Sequence, residues 1–457
     1  MADTIAAIAT ALGDSGIGII RISGEDAIGI AHSLYRTKSG KKILDRFESH
    51  TIHYGFIEEP GSDKVIDEVM VSVMKAPRSY TGEDTIEINC HGGVLVCKKI
   101  LEAVCKSGAR LALPGEFSKR AFLNGKMDLS KAEAVMDLIH SKNEYALSAS
   151  VKQLKGSVSE EIKSMRGEIL HEIAFIESAL DDPEHISLDG YDELLEEKVD
   201  SLLLQLKKLL STADKGRIIR DGINTVIVGK PNAGKSSFLN LLLGEERAIV
   251  TSVAGTTRDI LEESVSLSGI HLNIIDTAGI RETEDVVEKI GVEKARSYAK
   301  DADLIVYVVD ASVALDENDK EIKELIRDKK TIILLNKSDL NTVVTKKNFE
   351  EGSIVITTSA KENVGMEEFE KAVSELFLGG EIKANDEVMI TNLRHKNALS
   401  EALESLKLVK TSIENGMPED FYSIDLMSAY ASLGSIIGEE VGEDLVNEIF
   451  SKFCMGK

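Results

Sequence analysis

"GKPNAGKSS", residues 229–237, is the stretch on which the fold turns. It matches G-x-x-x-x-G-K-[ST] from Gly229 to Ser236, follows the apolar run "TVIVG" and precedes the helical pattern "FLNLLLG". Strand, glycine loop and helix in that order let backbone N–H groups turn inward onto phosphate oxygens, with the helix N-terminus adding positive potential. Lys235 supplies a point charge to the β- and γ-phosphates, and Ser236 offers a hydroxyl to Mg²⁺. Asn232, Ala233, Gly234 and Ser237 complete the expected cradle.

Working outward, three later motifs each follow a buried-strand run. "DTAG" (276–279) places Asp276 to hold the magnesium and the Gly279 N–H to sense the γ-phosphate, with Thr277 and Ala278 between them. "NKSD" (336–339) brings a carboxylate, Asp339, that accepts two hydrogens from guanine N1 and N2, which adenine cannot donate. Asn336 and Lys337 shape that pocket. "TSAK" (358–361) offers backbone N–H groups to guanine O6 from Ser359, Ala360 and Lys361. Four motifs in this order specify a GTP-binding domain.

The chemistry departs from that of the small signalling GTPases. They carry a Gln after the DTAG-type turn, whereas here Ile280 cannot orient water. No arginine finger is evident in the chain, so another positive charge must act at the transition state. A monovalent cation held by the Asn232 amide oxygen and by carbonyls of "TSVAGTTRD" (251–259) fills that role. Glu282, Glu284, Asp285 and Glu288 follow in sequence, and one of them is expected to position water; most acids of such a loop are simply solvated.

The flanks differ in style. Residues 1–125 are short apolar runs broken by glycines, which predicts an α+β fold. From 126 to 221 the pattern is helical: Leu154, Val158, Ile162, Met165, Ile169, Ile173, Ile176 and Leu180 recur at steps of four or three, predicting one stripe on one long helix. Residues 222–380 alternate strand and helix patterns and predict a mostly parallel α/β sheet. Helical patterns return over 381–457. The expected architecture is therefore an α/β nucleotide-binding domain inserted into a helical domain, after an α+β domain at the N-terminus.

The 457 residues carry 54 basic and 78 acidic side chains, a net charge of −24. No segment is basic, which argues against tight, non-specific nucleic-acid binding by this chain alone. No apolar run reaches the length of a membrane span. The start lacks a basic n-region, and Cys90, Cys97, Cys105 and Cys454 show no metal-like spacing. These features predict a reduced, cytoplasmic protein. His91, in "CHGG", reads as a turn residue packing its ring. The terminal "FCMGK" (453–457) fits a prenylation box badly, because Gly456 and Lys457 are the wrong types. The apolar pattern of "LVNEIFSKFCMGK" predicts a final helix that docks rather than frays.

Taken together, "GKPNAGKSS", "AGTTRD", "DTAGIRE", "FCMGK" and the N-terminal "GIGIIRISG", "SYTGEDTIEINCHGG" and "PGEFSKRAFLNGKMDLSKAEAVMDLI" closely resemble the MnmE (TrmE) family of tRNA-modification GTPases over essentially the whole chain. The resemblance implies a tetrahydrofolate-binding-like N-terminal domain (1–125) that makes a homodimer. It also implies a helical domain (126–221 and 381–457) and an inserted GTPase domain (222–380). It implies that the protein works with an FAD-dependent partner, MnmG (GidA), to add an aminomethyl or carboxymethylaminomethyl group to carbon five of the wobble uridine of certain tRNAs. It implies further that a 5-formyl- or methylene-tetrahydrofolate supplies the one-carbon unit and that tRNA is held mainly through the partner. The implied potassium ligands are Asn232, Thr251, Val253 and Thr256, and the magnesium ligands Ser236 and Thr257. Ser252, Ala254 and Gly255 belong to the same nucleotide-contacting loop. Glu288 is the implied water-orienting acid. Folate contacts fall on Arg21, Glu87, Lys126 and Lys457, with Cys454 a candidate reactive thiol. Two other readings compete: a GTPase switch in ribosome assembly, and a folate-dependent one-carbon transferase in which GTP is regulatory.

Overall fold

The computed structural model describes residues 3–244, 263–267, 269–275, 302–379, 388–439 and 441–456. The chain divides into two compact units: Met1–Met136, Gln153–Val199 and Glu404–Lys457 form one, and Asp137–Lys152 with Asp200–Leu403 the other.

The first unit contains β1 (Ile5–Ile8), β2 (Ser15–Ser23), α1 (Ala27–Leu34), β3 (Tyr35–Arg36), β4 (Thr51–Glu58), β5 (Val65–Met74), β6 (Thr85–Gly92), α2 (Val94–Lys106), β7 (Arg110–Leu111) and α3 (Glu116–Leu123). The strands form one sheet in the order β3-β4-β5-β6-β2-β1-β7. The period of two along β2 sorts its side chains: Ile20 and Ile22 join Ile86, Ile88 and Ile100 in the main core. The intervening Arg21 points to the opposite face, where β1 contributes Ile5 and Ala7 to a second cluster with Phe117 and Tyr80. In the antiparallel register, Arg21 stands opposite Glu87 of β6.

Helices follow: α4 (Leu129–His140), α5 (Glu144–Lys155), α6 (Ser157–Asp181) and α7 (Tyr191–Asp221). The single stripe expected from Leu154 to Leu180 is divided between two helices. Leu154 belongs to α5, and Gly156, at φ +108°, occupies the left-handed conformation that ends one helix and precedes the next. Val158, Ile162, Met165, Ile169, Ile173 and Ile176 are buried on α6 as the period requires, but Leu180 is 44% exposed.

The second unit is built on β8 (Ile223–Val228), α8 (Lys235–Leu242), β9 (Glu263–Leu267), β10 (Ile270–Ile274), β11 (Leu304–Asp310), α9 (Glu317–Ile326), β12 (Thr331–Asn336), β13 (Ile354–Thr357) and α10 (Met366–Leu378). The sheet order is β13-β12-β11-β8-β10-β9, parallel except for the edge strand β9. Alternate residues of β11 go to opposite faces: Val306 and Val308 pack with Phe238 and Phe369 of α8 and α10, and Ile305, Tyr307 and Val309 pack with Ile326 of α9. A parallel sheet covered on both faces needs such continuous apolar strands.

The chain continues through α11 (Leu393–Glu414), α12 (Glu419–Ile437) and α13 (Glu443–Ser451). The last helix stops sooner than the apolar pattern predicts. Phe450 and Phe453 turn into a cluster with Leu129, Ala132 and Met136, and the Gly115 N–H donates to the Cys454 carbonyl at 3.4 Å. Gly456, at φ +86°, lies so close to β1 that a Cβ would sit 2.6 Å from the Ile8 carbonyl oxygen. Among the described residues no helix is long and apolar enough to cross a membrane.

Candidate functional site

The loops that follow β8, β12 and β13 leave the carboxyl ends of parallel strands, where open α/β sheets bind ligands. Two glycines let the first loop fold tightly. A Cβ on Gly229 would lie 2.3 Å from the Val308 carbonyl oxygen, and one on Gly234 (φ +99°) 2.0 Å from Asn336 Nδ2. Asn232 adopts the left-handed conformation at φ +62°, a position that Asn tolerates through its short polar side chain.

Lys235 opens α8. Its Nζ donates to the carbonyls of Gly229 and Lys230, both at 2.8 Å, and so draws the loop around the ammonium. Burial depresses its pKa by removing water from the charge. Ser236 and Ser237 follow, exposed, in the first turn of α8. A hydroxyl and helix N–H groups at that place suit a phosphate-bound Mg²⁺, and the Asn232 amide suits a monovalent cation.

The residues expected to recognise the base are joined to the phosphate loop by one side chain. Asn336 is buried, donates from Nδ2 to the Ala233 carbonyl at 2.9 Å and accepts the Ala360 N–H at 3.1 Å. The Ala360 N–H, expected at a base oxygen, is thus directed to Asn336. The Ser359 hydroxyl donates to Asp339 Oδ1 at 2.8 Å and orients that carboxylate. Lys337, at φ +62°, reaches back to Asp310 Oδ2 at 2.6 Å. Burial raises the Asp310 pKa, but the bonds from Lys337 and Ser312 outweigh it and hold the carboxyl below its ordinary value. Lys361 is exposed beside them. Asp310 carries no motif signature, and the sequence reading omitted it. Thr251, Ser252, Val253, Ala254, Gly255, Thr256, Thr257, Asp276, Thr277, Ala278, Gly279 and Glu288 lie outside the described residues.

A second constellation lies on the N-terminal sheet. Arg21 donates from Nε to Glu87 Oε1 at 2.8 Å and from Nη1 to the Gly456 carbonyl at 2.9 Å. Its Cζ lies 5.6 Å from the ring centroids of both Tyr80 and Phe117. Two of the four residues expected at one ligand are therefore paired with each other. Lys126 is anchored separately, donating to the Pro77 carbonyl at 2.9 Å. The Cys454 side chain is exposed, and Lys457 lies outside the described residues. Tyr80 was missed by sequence reading, because nothing in its local pattern marks it as lining this face.

His91 differs from its expected turn setting. It lies in β6, with its side chain 71% exposed and Nδ1 2.8 Å from Asp67 Oδ1. Its backbone N–H donates to the other oxygen of the same carboxylate, and the ring's hydrogen bond to Asp67, together with the Asp67 charge, raises the imidazole pKa. Among the described residues no group of three His, Cys, Asp or Glu side chains is placed to hold a metal.

Comparison with known proteins now bears on both sites. The family model described as "GTP-binding protein TrmE N-terminus" matches residues 4–126, and that described as "MnmE helical domain" matches residues 129–454. A protein of Lachnoclostridium phytofermentans named tRNA modification GTPase MnmE is 58% identical over 457 residues, covering 100% of this chain and 99% of its own. Proteins of the same name from Acetivibrio thermocellus and Clostridioides difficile are 50% and 49% identical, each again covering 100% of this chain and 99% of the relative. Among solved structures, the G domain of the T. maritima FeoB iron transporter (25% identity, 34% of this chain and 98% of that one, TM-score 0.26) is similar. So is Aquifex aeolicus Era bound to GDP·AlF4⁻ (28% identity, 41% of this chain and 67% of that one, TM-score 0.27). The family assignment rests on the full-length sequence relatives. With a GTPase motif set, a phosphate loop stapled to Asn336 of the NKSD motif, and relatives matched from end to end, this chain belongs to the MnmE family of tRNA modification GTPases.

Proposed function

We propose that this GTPase is activated by K⁺ and, with an FAD-dependent partner of the MnmG type, adds an aminomethyl or carboxymethylaminomethyl group at carbon five of the wobble uridine of certain tRNAs. GTP, with Mg²⁺ at Ser236 and Thr257, occupies the pocket of Lys235, Asn336 and Asp339. K⁺ is held by Asn232, Thr251, Val253 and Thr256, and Glu288 orients the attacking water. The protein acts in the cytoplasm as a homodimer through residues 1–125. Residues 126–221 and 381–457 form its helical domain and 222–380 its GTPase domain.

A tetrahydrofolate derivative at the second constellation supplies the one-carbon unit when bound. The residues suit it: Arg21 and Glu87 combine a forked donor with an acceptor, Tyr80 and Phe117 provide ring surface, and Lys126 and Lys457 add charge for a carboxylate tail. Arg21 and Glu87 balance each other's charge, so an incoming ring need not desolvate an isolated guanidinium or carboxylate. Cys454 stands as the candidate thiol.

One observation carries the reading beyond GTP hydrolysis: the end of the chain is docked, through the Gly456 carbonyl, on Arg21. That contact brings the C-terminal segment to the face that carries Arg21 and Glu87, the residues proposed for the folate. Mass spectrometry of tRNA nucleosides from a deletion strain tests the proposal. Loss of the modified wobble uridine, restored by the intact gene, is expected. Unaltered wobble uridines with accumulating ribosomal subunit precursors would replace this reading with the ribosome-assembly one.

A further inference from the structure

We propose that Lys230 is a positioning residue for nucleotide binding: its side chain, clamped by Asp319 and Asp316, fixes the phosphate-loop carbonyl that holds Lys235. This rests on GTP hydrolysis by the family and not on the tRNA chemistry proposed above.

Lys230 occupies an unspecified position of G-x-x-x-x-G-K, so the motif does not require its side chain. In the structure its two ends do different work. The carbonyl accepts Lys235 Nζ at 2.8 Å and the Ala233 N–H at 3.3 Å. The ammonium donates to Asp319 Oδ2 at 2.7 Å and Asp316 Oδ2 at 3.1 Å.

The anchor is rigid. The Asp319 side chain is only 2% exposed. Its Oδ1 accepts the Tyr307 hydroxyl at 2.6 Å, and its Oδ2 also accepts the Asp316 N–H at 2.9 Å. Asp316 caps α9, its Oδ1 accepting the N–H groups of Asn318 and Asp319. The carboxylate that receives Lys230 is thus fixed from β11 on one side and from the start of α9 on the other. A buried carboxylate needs a paired charge, and Lys230 supplies it. With its side chain held, residue 230 has fewer conformations in which its carbonyl turns away from Lys235.

The rest of the loop is gripped in the same way. Ala233 is held by Asn336, and Gly229 packs under the Val308 carbonyl. A loop already shaped for phosphate loses less freedom on binding. Lys230 itself touches none of the reacting atoms and acts through the resting shape of the loop that holds Lys235, so its effect is expected mainly on binding.

The test uses the full chain and compares Lys230→Met, Lys230→Gln, Lys230→Arg and, as a control, Lys320→Met. Lys320 lies on α9 and pairs with the exposed Glu317. Fluorescent GDP and GTP analogues report affinity, and steady-state hydrolysis reports KM and kcat. Lys230→Met is expected to weaken both nucleotides and raise KM by roughly 10-fold, with kcat at saturation changed less than about 2-fold. Lys230→Gln, which keeps a donor without a charge, falls between Lys230→Met and wild type, and remains readable where the Met variant does not fold. Lys230→Arg restores affinity, and Lys320→Met matches wild type. Unchanged affinity and KM in the uncharged variants overturn the proposal even where their melting temperature falls. So does a loss in Lys230→Arg equal to that in Lys230→Met.

Discussion

The Arg21 guanidinium reaches the Gly456 carbonyl at 2.9 Å, across 435 residues of chain, while its Nε is bonded to Glu87. A residue in the middle of the N-terminal sheet therefore holds the end of the polypeptide. Around that contact, Phe453 packs beside Gly115 and the Gly115 N–H meets the Cys454 carbonyl. The tail is a built part of the first unit.

The first prediction follows from that docking. Deleting residues 454–457 removes the Gly456 carbonyl from Arg21 and takes away Cys454 and Lys457. The nucleotide pocket lies in the other unit and loses nothing. Wobble-uridine modification is expected to vanish in a complemented deletion strain, with GTP hydrolysis within about 2-fold of wild type. Gly456→Ala tests the same point more finely: its Cβ would meet Ile8 and Ala9 at 2.6 and 2.7 Å, in a left-handed backbone. Full modification by the truncated chain would show that the tail takes no part in the reaction.

Asp339 gives the second. Its carboxylate, oriented by Ser359, is the group proposed to accept from guanine N1 and N2. Asp339→Asn turns one acceptor into a donor and is expected to shift preference from guanine toward xanthine nucleotides. Ser359→Ala removes the orienting bond without changing the recognition chemistry, and is expected to cost about 1 kcal/mol of GTP binding, near fivefold in Kd. Titration with GTP and XTP measures both. Retained GTP preference in Asp339→Asn would place base recognition elsewhere.

The layers of the fold were legible because each has its own period. Runs such as "LIVYVVD" announce a strand buried on both faces, and the alternation around Ile20 and Ile22 announces a strand with one core face. What escaped depends on residues far apart in sequence. The Arg21–Glu87 pair is a matter of strand register over 66 residues. Lys230 and Asp319 meet only because β11 lies beside β8. Gly156 ended a helix that the apolar stripe alone would have continued, since a hydrophobic period does not register one left-handed residue. The four nucleotide motifs were legible residue by residue because each is a short loop whose neighbours in space are its neighbours in sequence. Asn336, which joins two of them, shows its stapling role only in three dimensions.

Replacing K⁺ by Na⁺ gives the third prediction. Asn232 stands in the phosphate loop in a left-handed conformation, and the proposed cation completes its shell from residues 251–257. A site sized for the larger ion binds Na⁺ poorly, so the missing positive charge is not replaced at the transition state. GTP hydrolysis is expected to fall by about 10-fold or more in Na⁺ at equal ionic strength, an increase of at least about 1.4 kcal/mol in the barrier. Asn232→Ala should remove the difference between the two salts. Equal wild-type rates in K⁺ and Na⁺ would refute the cation's role.

The last prediction concerns acid stability. Burial raises the Glu116 pKa, but bonds from Arg110, the Leu113 N–H and Arg120 outweigh it and leave the carboxyl below its ordinary value of 4.5. Arg110 approaches at 2.5 and 2.8 Å, and Arg120 at 3.1 Å. A carboxyl whose folded pKa is depressed stabilises the native state above its unfolded pKa, because the unfolded chain binds its proton first. That stabilisation is therefore full near neutrality and is lost as the pH falls below 4.5 through the folded value. Glu116→Gln lacks the charge at every pH. Urea unfolding of the two proteins should differ by about 1.5–3 kcal/mol near neutrality, the range for hydrogen bonds to a charged group. The gap should narrow steadily as both are taken into acid. A gap that stays constant across that range would mean that packing around Glu116, not its ionisation, holds Arg110 and Arg120 in place.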